Sequence, residues 1–163
     1  MSIRFTDHDI EVFIQEPKHL PSDYMGRLQL KEKKGHKERE LDIEGINGNH
    51  FRLILRQANE NPLDFSLILA IIPQGTNQLF RLRRYNGKSH QHSNPIEGGP
   101  PFYNFHIHQA TERYQDLGAR EDTFAEETDQ SNDFNSTLKC LLRDCGFVFP
   151  QNPQLSLLDG LEP

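Results

Sequence analysis

The chain predicts an α+β fold: an antiparallel β-meander of about five or six strands, with an N-terminal helix and C-terminal helices. Three observations carry this. Short runs of alternating apolar and polar residues lie between positions 28 and 108, divided by turn signals such as Lys34-Gly35, Asn47-Gly48 and Asn86-Gly87. A capped helical pattern precedes them. A second helical pattern follows, with Phe134, Leu138, Leu141, Leu142 and Cys145 on one face.

Taken in order, Thr6 reads as an N-cap with Asp9 three residues on, and Phe5 and Ile10 are placed to form a hydrophobic staple. Ile10, Phe13 and Ile14 keep helical spacing until Pro17 ends the run. Leu28 with Leu30, then Leu41 with Ile43, suggest short strands. In His50–Gln57 the residues Phe51, Leu53 and Leu55 share one face. Phe65–Ile72 is apolar on both faces and suits a central strand. Gln78–Tyr85 follows the Pro73–Asn77 turn, and a polar loop rich in Gly and Pro leads to a last strand at Phe102–His108. Residues 111–128 are predicted helical in part. The final helix takes Asp133 or a neighbour as its cap and Gly146 as its C′ residue. Residues 1–149 are expected to form a single domain and 150–163 an irregular tail.

Composition bounds the function. With 163 residues, 34% of them hydrophobic and no Trp, and a mean hydropathy of −0.74, a soluble, rather polar protein is expected. No apolar run is long enough to cross a bilayer, and the N-terminus lacks a signal-peptide core, so a cytoplasmic location with no membrane partner is expected. Cys140 and Cys145 fit neither a CxxC nor a zinc-finger spacing and read as buried reduced thiols. The net charge of −6 argues against general nucleic-acid affinity, but it is unevenly placed. Residues 1–108 hold 14 Lys and Arg against 13 Asp and Glu, whereas residues 109–163 hold 4 against 11.

The chemistry-bearing residues concentrate late in the predicted sheet. Strand alternation turns Tyr103, Phe105 and Ile107 to the core and places Asn104, His106 and His108 on the other face. By the same rule Arg52, Arg56, Arg81, Arg83 and Tyr85 lie on that second face. Arginine forks bind phosphate, and histidine passes protons near neutral pH. A ribonuclease working through a 2′-hydroxyl needs a base, an acid and a cation at the phosphate. On this reading His106 and His108 are the acid/base candidates, with Arg83, Tyr85 and Glu112 beside them, and Arg52, Arg56 and Arg81 hold phosphate.

Two other readings stay open. Arginine and histidine are ordinary on a solvated sheet face, and here they could pack on the acidic helices or on a protein partner. His-x-His also aims two imidazoles at one point, with Glu112, His90 or His92 as a further ligand. The first cupin motif is faintly similar, but cupins need a later histidine and none follows His108; no metal ligands are assigned and no cofactor is named. Gly-x-Ser-x-Gly, P-loop and Rossmann fingerprints are absent. The charged run Lys31–Arg39 reads as a solvated hairpin guarding an edge strand. In the tail, Gln154-Leu155-Ser156-Leu157-Leu158 resembles the peptide with which bacterial proteins dock on the DNA-polymerase sliding clamp, although packing of its leucines on the chain's own domain is the expectation.

Arg84-Tyr85-Asn86, His90-Gln91-His92 and the segment Phe105–Tyr114 resemble an uncharacterised bacterial protein family with a His-x-His-x-Ala-Thr-Glu-Arg-Tyr segment. The same stretch, residues 79–114, is similar to TumE-like toxins of toxin-antitoxin systems. In those toxins an Arg-Tyr strand, a histidine-bearing loop and a His-x-His segment come in that order. The resemblance implies a bacterial RNA-cleaving or RNA-binding protein. This chain departs from it in having more strand before the site and a long acidic C-terminal portion.

Overall fold

The computed structural model describes residues 3–151. Helix α1 (Asp7–Gln15) starts where its cap predicts: the Thr6 hydroxyl accepts the Asp9 N–H, and the Asp9 carboxylate accepts the Thr6 N–H, both at 3.0 Å. Next come β1 (Lys18–His19), α2 (Tyr24–Arg27), β2 (Lys31–Lys33), β3 (His36–Glu44), β4 (His50–Ala58), β5 (Phe65–Ile72) and β6 (Phe80–Asn86). They are followed by β7 (His92–Asn94), β8 (Gly98–Phe102), β9 (His106–Gln109), α3 (Glu112–Asp116), β10 (Ala125–Glu127), α4 (Phe134–Asp144) and β11 (Phe147–Val148). The main sheet has seven strands in the order β10-β9-β6-β5-β4-β3-β2, each antiparallel to its neighbours. It is therefore an α+β meander, interrupted once by the β7–β8 hairpin. Among the described residues no helix is long and apolar enough to cross a membrane.

The core lies on one sheet face, where Phe51, Leu53 and Leu55 of β4 meet Leu67 and Leu69 of β5 and the buried faces of α1 (Ile10, Ile14) and α4 (Leu138, Leu141, Leu142). Helix α4 is capped by Asp133, and Gly146 leaves it with φ +76°, as their residue types predict. Beneath the helix ends, Lys18 is fully buried. Its ammonium donates to the carbonyls of Phe13, Ile14 and Glu16 at the end of α1 and of Cys145 at the end of α4, at 2.8–3.1 Å. It also lies 4.4 Å from the centroid of the Phe51 ring. Buried Glu16 accepts the Asn47 N–H and the Asn49 amide, closing the β3–β4 turn. A Cβ on Gly45 would come within 2.0 Å of the Glu16 carboxylate, so a larger residue there would displace Glu16 from Asn47 and Asn49.

Residues 111–128 are helical in part, as expected, at Glu112–Asp116, and Ala125–Glu127 forms the edge strand β10. The structure corrects three local expectations. Leu28 closes α2 rather than opening a strand. The strand expected at Phe102–His108 is two strands, β8 and β9, and Tyr103 between them is 49% exposed instead of facing the core. The third concerns β6. Against β5 its register slips, with Leu69 opposite Arg83 but Ala70 opposite Arg81, so Leu82 is an extra residue. A bulge of this kind puts consecutive side chains on one face. Leu82, Arg83 and Tyr85 thus turn to the helix side, and Arg84 takes the second face that Arg83 and Tyr85 were expected to occupy. The Tyr85 hydroxyl donates to Asp144 of α4 at 2.8 Å and accepts from Arg83 at 3.4 Å. Burial raises the Tyr85 pKa, which keeps the phenol neutral and a donor.

Candidate functional site

The second sheet face follows from the registers. Directly opposed residues form rows: Ile54, Ile68, Arg84, His108 and Ala125 in one, and Arg56, Ser66, Asn86, His106 and Glu127 in the next. A third row carries Asp42, Arg52, Ala70 and Arg81. At the β6/β9 end the β7–β8 hairpin folds over this face, bringing His92 and Phe102 onto the two imidazoles of β9. Ring centroids of His92 and His108 stand 4.6 Å apart, those of His106 and His108 5.0 Å, and those of His92 and His106 5.8 Å. Phe102 contacts both His92 and His106 at 5.5 Å.

Each ring has a fixed tautomer, because its partner can only accept. His106 Nδ1 donates to the Asn104 carbonyl at 2.7 Å and His108 Nδ1 to the Asp122 carbonyl at 2.8 Å. His92 Nε2 donates to Asn94 Oδ1 at 3.0 Å. Asn94 is itself locked to both backbone groups of Ala125, at 2.8 and 2.9 Å. The remaining nitrogen of His106 faces the Asn86 amide at 3.5 Å, and Asn86 in turn accepts from Ser66. His92 Nδ1 and His108 Nε2 have no hydrogen-bond partner among the described residues.

The electrostatics keep the β9 pair neutral. His106 and His108 are each only 3% exposed. Burial, then the charge of Arg84 and the neighbouring imidazoles, pulls His108 down to about 3. His106 is also lowered, by burial first, although its bond to the Asn104 carbonyl opposes the shift. Neither ring therefore holds a proton to give near neutral pH. The unfolded chain takes up protons below about 6.5 that the folded chain refuses, so this part of the stability is present above that pH and lost as pH falls toward 3. Stability against thermal unfolding is expected to fall by about 2 kcal/mol at pH 5 through His108. The slope of stability against pH should shrink in His108→Gln.

The arginines divide into spent and free. Arg52 is held by the Asp42 carboxylate directly across the strands, at 2.7 and 3.3 Å, and Arg81 by Glu121 at 3.0 Å. Arg56 is held loosely, its Nε 3.9 Å from Glu38. Arg84 donates through Nε to Asp122 Oδ2 at 3.0 Å, and Arg120 Nε lies 3.0 Å from the other oxygen of that fully buried carboxylate. Glu112 is engaged elsewhere: it accepts the Asp7 N–H at 2.7 Å and pairs with Arg4 at 3.2 Å, tying α3 to the start of α1. Of the expected site residues, then, Arg52, Arg56, Arg81, His106 and His108 share the face, whereas Arg83, Tyr85 and Glu112 are directed to other partners. His92, which the sequence offered only as a further metal ligand, joins the cluster through the hairpin, and Asn94, Arg84, Arg120 and Asp122 emerge from the fold.

Among the described residues no group of three or more His, Cys, Asp or Glu is placed to hold a metal ion. A groove of about 1020 Å³ lies apart from this cluster, lined by Met25, Leu28, Leu30, Phe134 and Leu138 among others. It gathers no catalytic set, so chemistry rather than size selects the imidazole cluster. The expected tail motif Gln154–Leu158 lies outside the described residues. No protein-family model, curated protein or solved structure matches the chain.

Proposed function

We propose that the protein is a cytoplasmic bacterial ribonuclease of toxin-like type that works by 2′-hydroxyl attack, with His92 as general base and Arg84 beside the phosphate. The observation that carries this is the His92–Asn94 pair. One ring nitrogen is anchored by an amide that is itself locked to Ala125, which leaves Nδ1 aimed and unpartnered among the described residues. A base oriented by a third group is the arrangement that activates hydroxyl nucleophiles. In the step proposed, His92 Nδ1 takes the 2′-hydroxyl proton, the 2′-oxygen bonds to phosphorus, and the bond to the 5′-oxygen breaks as that oxygen takes a proton from water. Arg84 offsets the charge gathering on the phosphoryl oxygens. His106 and His108, neutral and covered, position the His92 ring and transfer no proton themselves. The resemblance of residues 79–114 to TumE-like toxins agrees with RNA as substrate.

The test is the initial rate of cleavage of a single-stranded RNA. His92→Ala should lower it by about 10²–10⁴ while the unfolding midpoint stays within a few degrees. An unchanged rate contradicts the reading. A second reading, a non-enzymatic module that binds a protein partner, is favoured by the burial of His106 and His108 and by the neutralised Arg52 and Arg81. It predicts no turnover in any variant, with loss of stability in the His106→Ala/His108→Ala double variant.

A further inference from the structure

Next to the imidazole cluster the same sheet face opens into a cleft of about 360 Å³, lined by Arg56, Arg84, Arg120, His36, Ser66 and Ile68 among others. We infer that this cleft is a binding site for a phosphate group, held by the guanidinium forks of Arg56, Arg84 and Arg120. Arg84 and Arg120 both meet buried Asp122 through Nε, and Arg56 approaches Glu38 through Nε at 3.9 Å. None of their six terminal nitrogens has a hydrogen-bond partner among the described residues. Asp122 thus holds Arg84 by a hydrogen bond and Arg120 by an ion pair, leaving the forked ends for a ligand, and those ends match phosphate bidentately. Asp64, the one carboxylate lining the cleft, is occupied by the Ser89 hydroxyl at 2.9 Å and lies 3.7 Å from His90.

Three guanidiniums line the cleft against one lining carboxylate, Asp64, with Asp122 and Glu38 behind them. Burial, together with the charges of Arg120 and Arg81, lowers the Arg84 pKa against the pull of Asp122, a strain that an incoming anion relieves. The cleft is also wired to the cluster: Ser66 donates to Asn86 at 2.9 Å, and the Asn86 amide faces His106 at 3.5 Å. The set differs from the arginines that strand alternation selects. Arg52 and Arg81 are spent on carboxylates, and Arg84 reaches the face only through the bulge in β6.

The inference rests on the ribonuclease reading only for the source of the phosphate. Calorimetric titration with inorganic phosphate at low salt should show saturable binding. Arg56→Ala and Arg120→Ala should each weaken it about tenfold or more, whereas Arg52→Ala should leave it unchanged. Oligoribonucleotides with and without a 5′-phosphate then distinguish the source. Tighter binding of the phosphorylated form identifies a terminal phosphate, and equal binding that inorganic phosphate competes away identifies the backbone. Absence of saturable phosphate binding, or equal affinity in Arg120→Ala and the parent, overturns the inference. Phosphate binding without RNA cleavage overturns only the ribonuclease reading, and cleavage without phosphate binding overturns only the cleft.

Discussion

Lys18→Met is expected to cost about 3–5 kcal/mol of folding stability, the largest single-residue effect in the protein. The ammonium sits where two helices end, and helix ends expose carbonyls that no backbone N–H satisfies. Its three protons serve four of them, from Phe13, Ile14, Glu16 and Cys145. Burial lowers its pKa to about 8, so at neutral pH the group is still charged and complements the negative ends of both helices. Methionine keeps the volume and the contact with Phe51 but leaves those carbonyls buried and unpaired. Urea denaturation reads the difference, with Lys34→Met at an exposed turn expected to stay within about 0.5 kcal/mol of the parent. A Lys18→Met protein as stable as the parent would show that the carbonyls find other donors.

Asp122→Ala is expected to come second, at about 3 kcal/mol, and to loosen the site as well as the fold. Its carboxylate is fully buried and accepts from Arg84, whose side chain is only 19% exposed. Removing one partner of such a pair strands the other charge. Its own backbone carbonyl holds His108 in its tautomer, so movement of this loop reaches the imidazole cluster. Asp122→Asn keeps the shape and removes the charge. It should therefore lose less stability than alanine while still disturbing Arg84. Denaturation of the pair, followed together with the ring signals of His108 by NMR, checks both parts. Equal stability of all three proteins would contradict the role given to Asp122.

What the sequence makes legible is local. Thr6 with Asp9, and Asp133 ahead of the apolar stripe of α4, announce their helices because capping involves residues three apart. Phe65–Ile72 announces a central strand because both of its faces are apolar. The pairing of Arg52 with Asp42 and of Arg56 with Glu38 is less legible, because a three-residue turn, Ile46-Asn47-Gly48, sets the β3–β4 register. The illegible features depend on partners distant in sequence. The bulge at Leu82 exists only against β5, and it exchanges Arg83 for Arg84 on the second sheet face. Lys18 in a two-residue strand looks solvated until two helix ends close around it. β10 has three residues, two of them glutamate, and no pattern of its own; its pairing with β9 makes it a strand. Strand alternation therefore brought Arg52, Arg56, Arg81, His106 and His108 to one face, and missed the hairpin and the bulge that add His92 and Arg84 to it. His106 and His108 lie there as covered neutral rings, and His92 and Arg84 are half-buried beside them.

The most direct test of the proposed chemistry uses a DNA oligonucleotide carrying a single ribonucleotide, with the products identified by mass spectrometry. Attack by a 2′-hydroxyl predicts one cut, immediately 3′ of the ribonucleotide, leaving a 2′,3′-cyclic phosphate, with the all-DNA strand untouched and His92→Ala inactive. Absence of that cut, or equal cutting of the all-DNA strand, would contradict it.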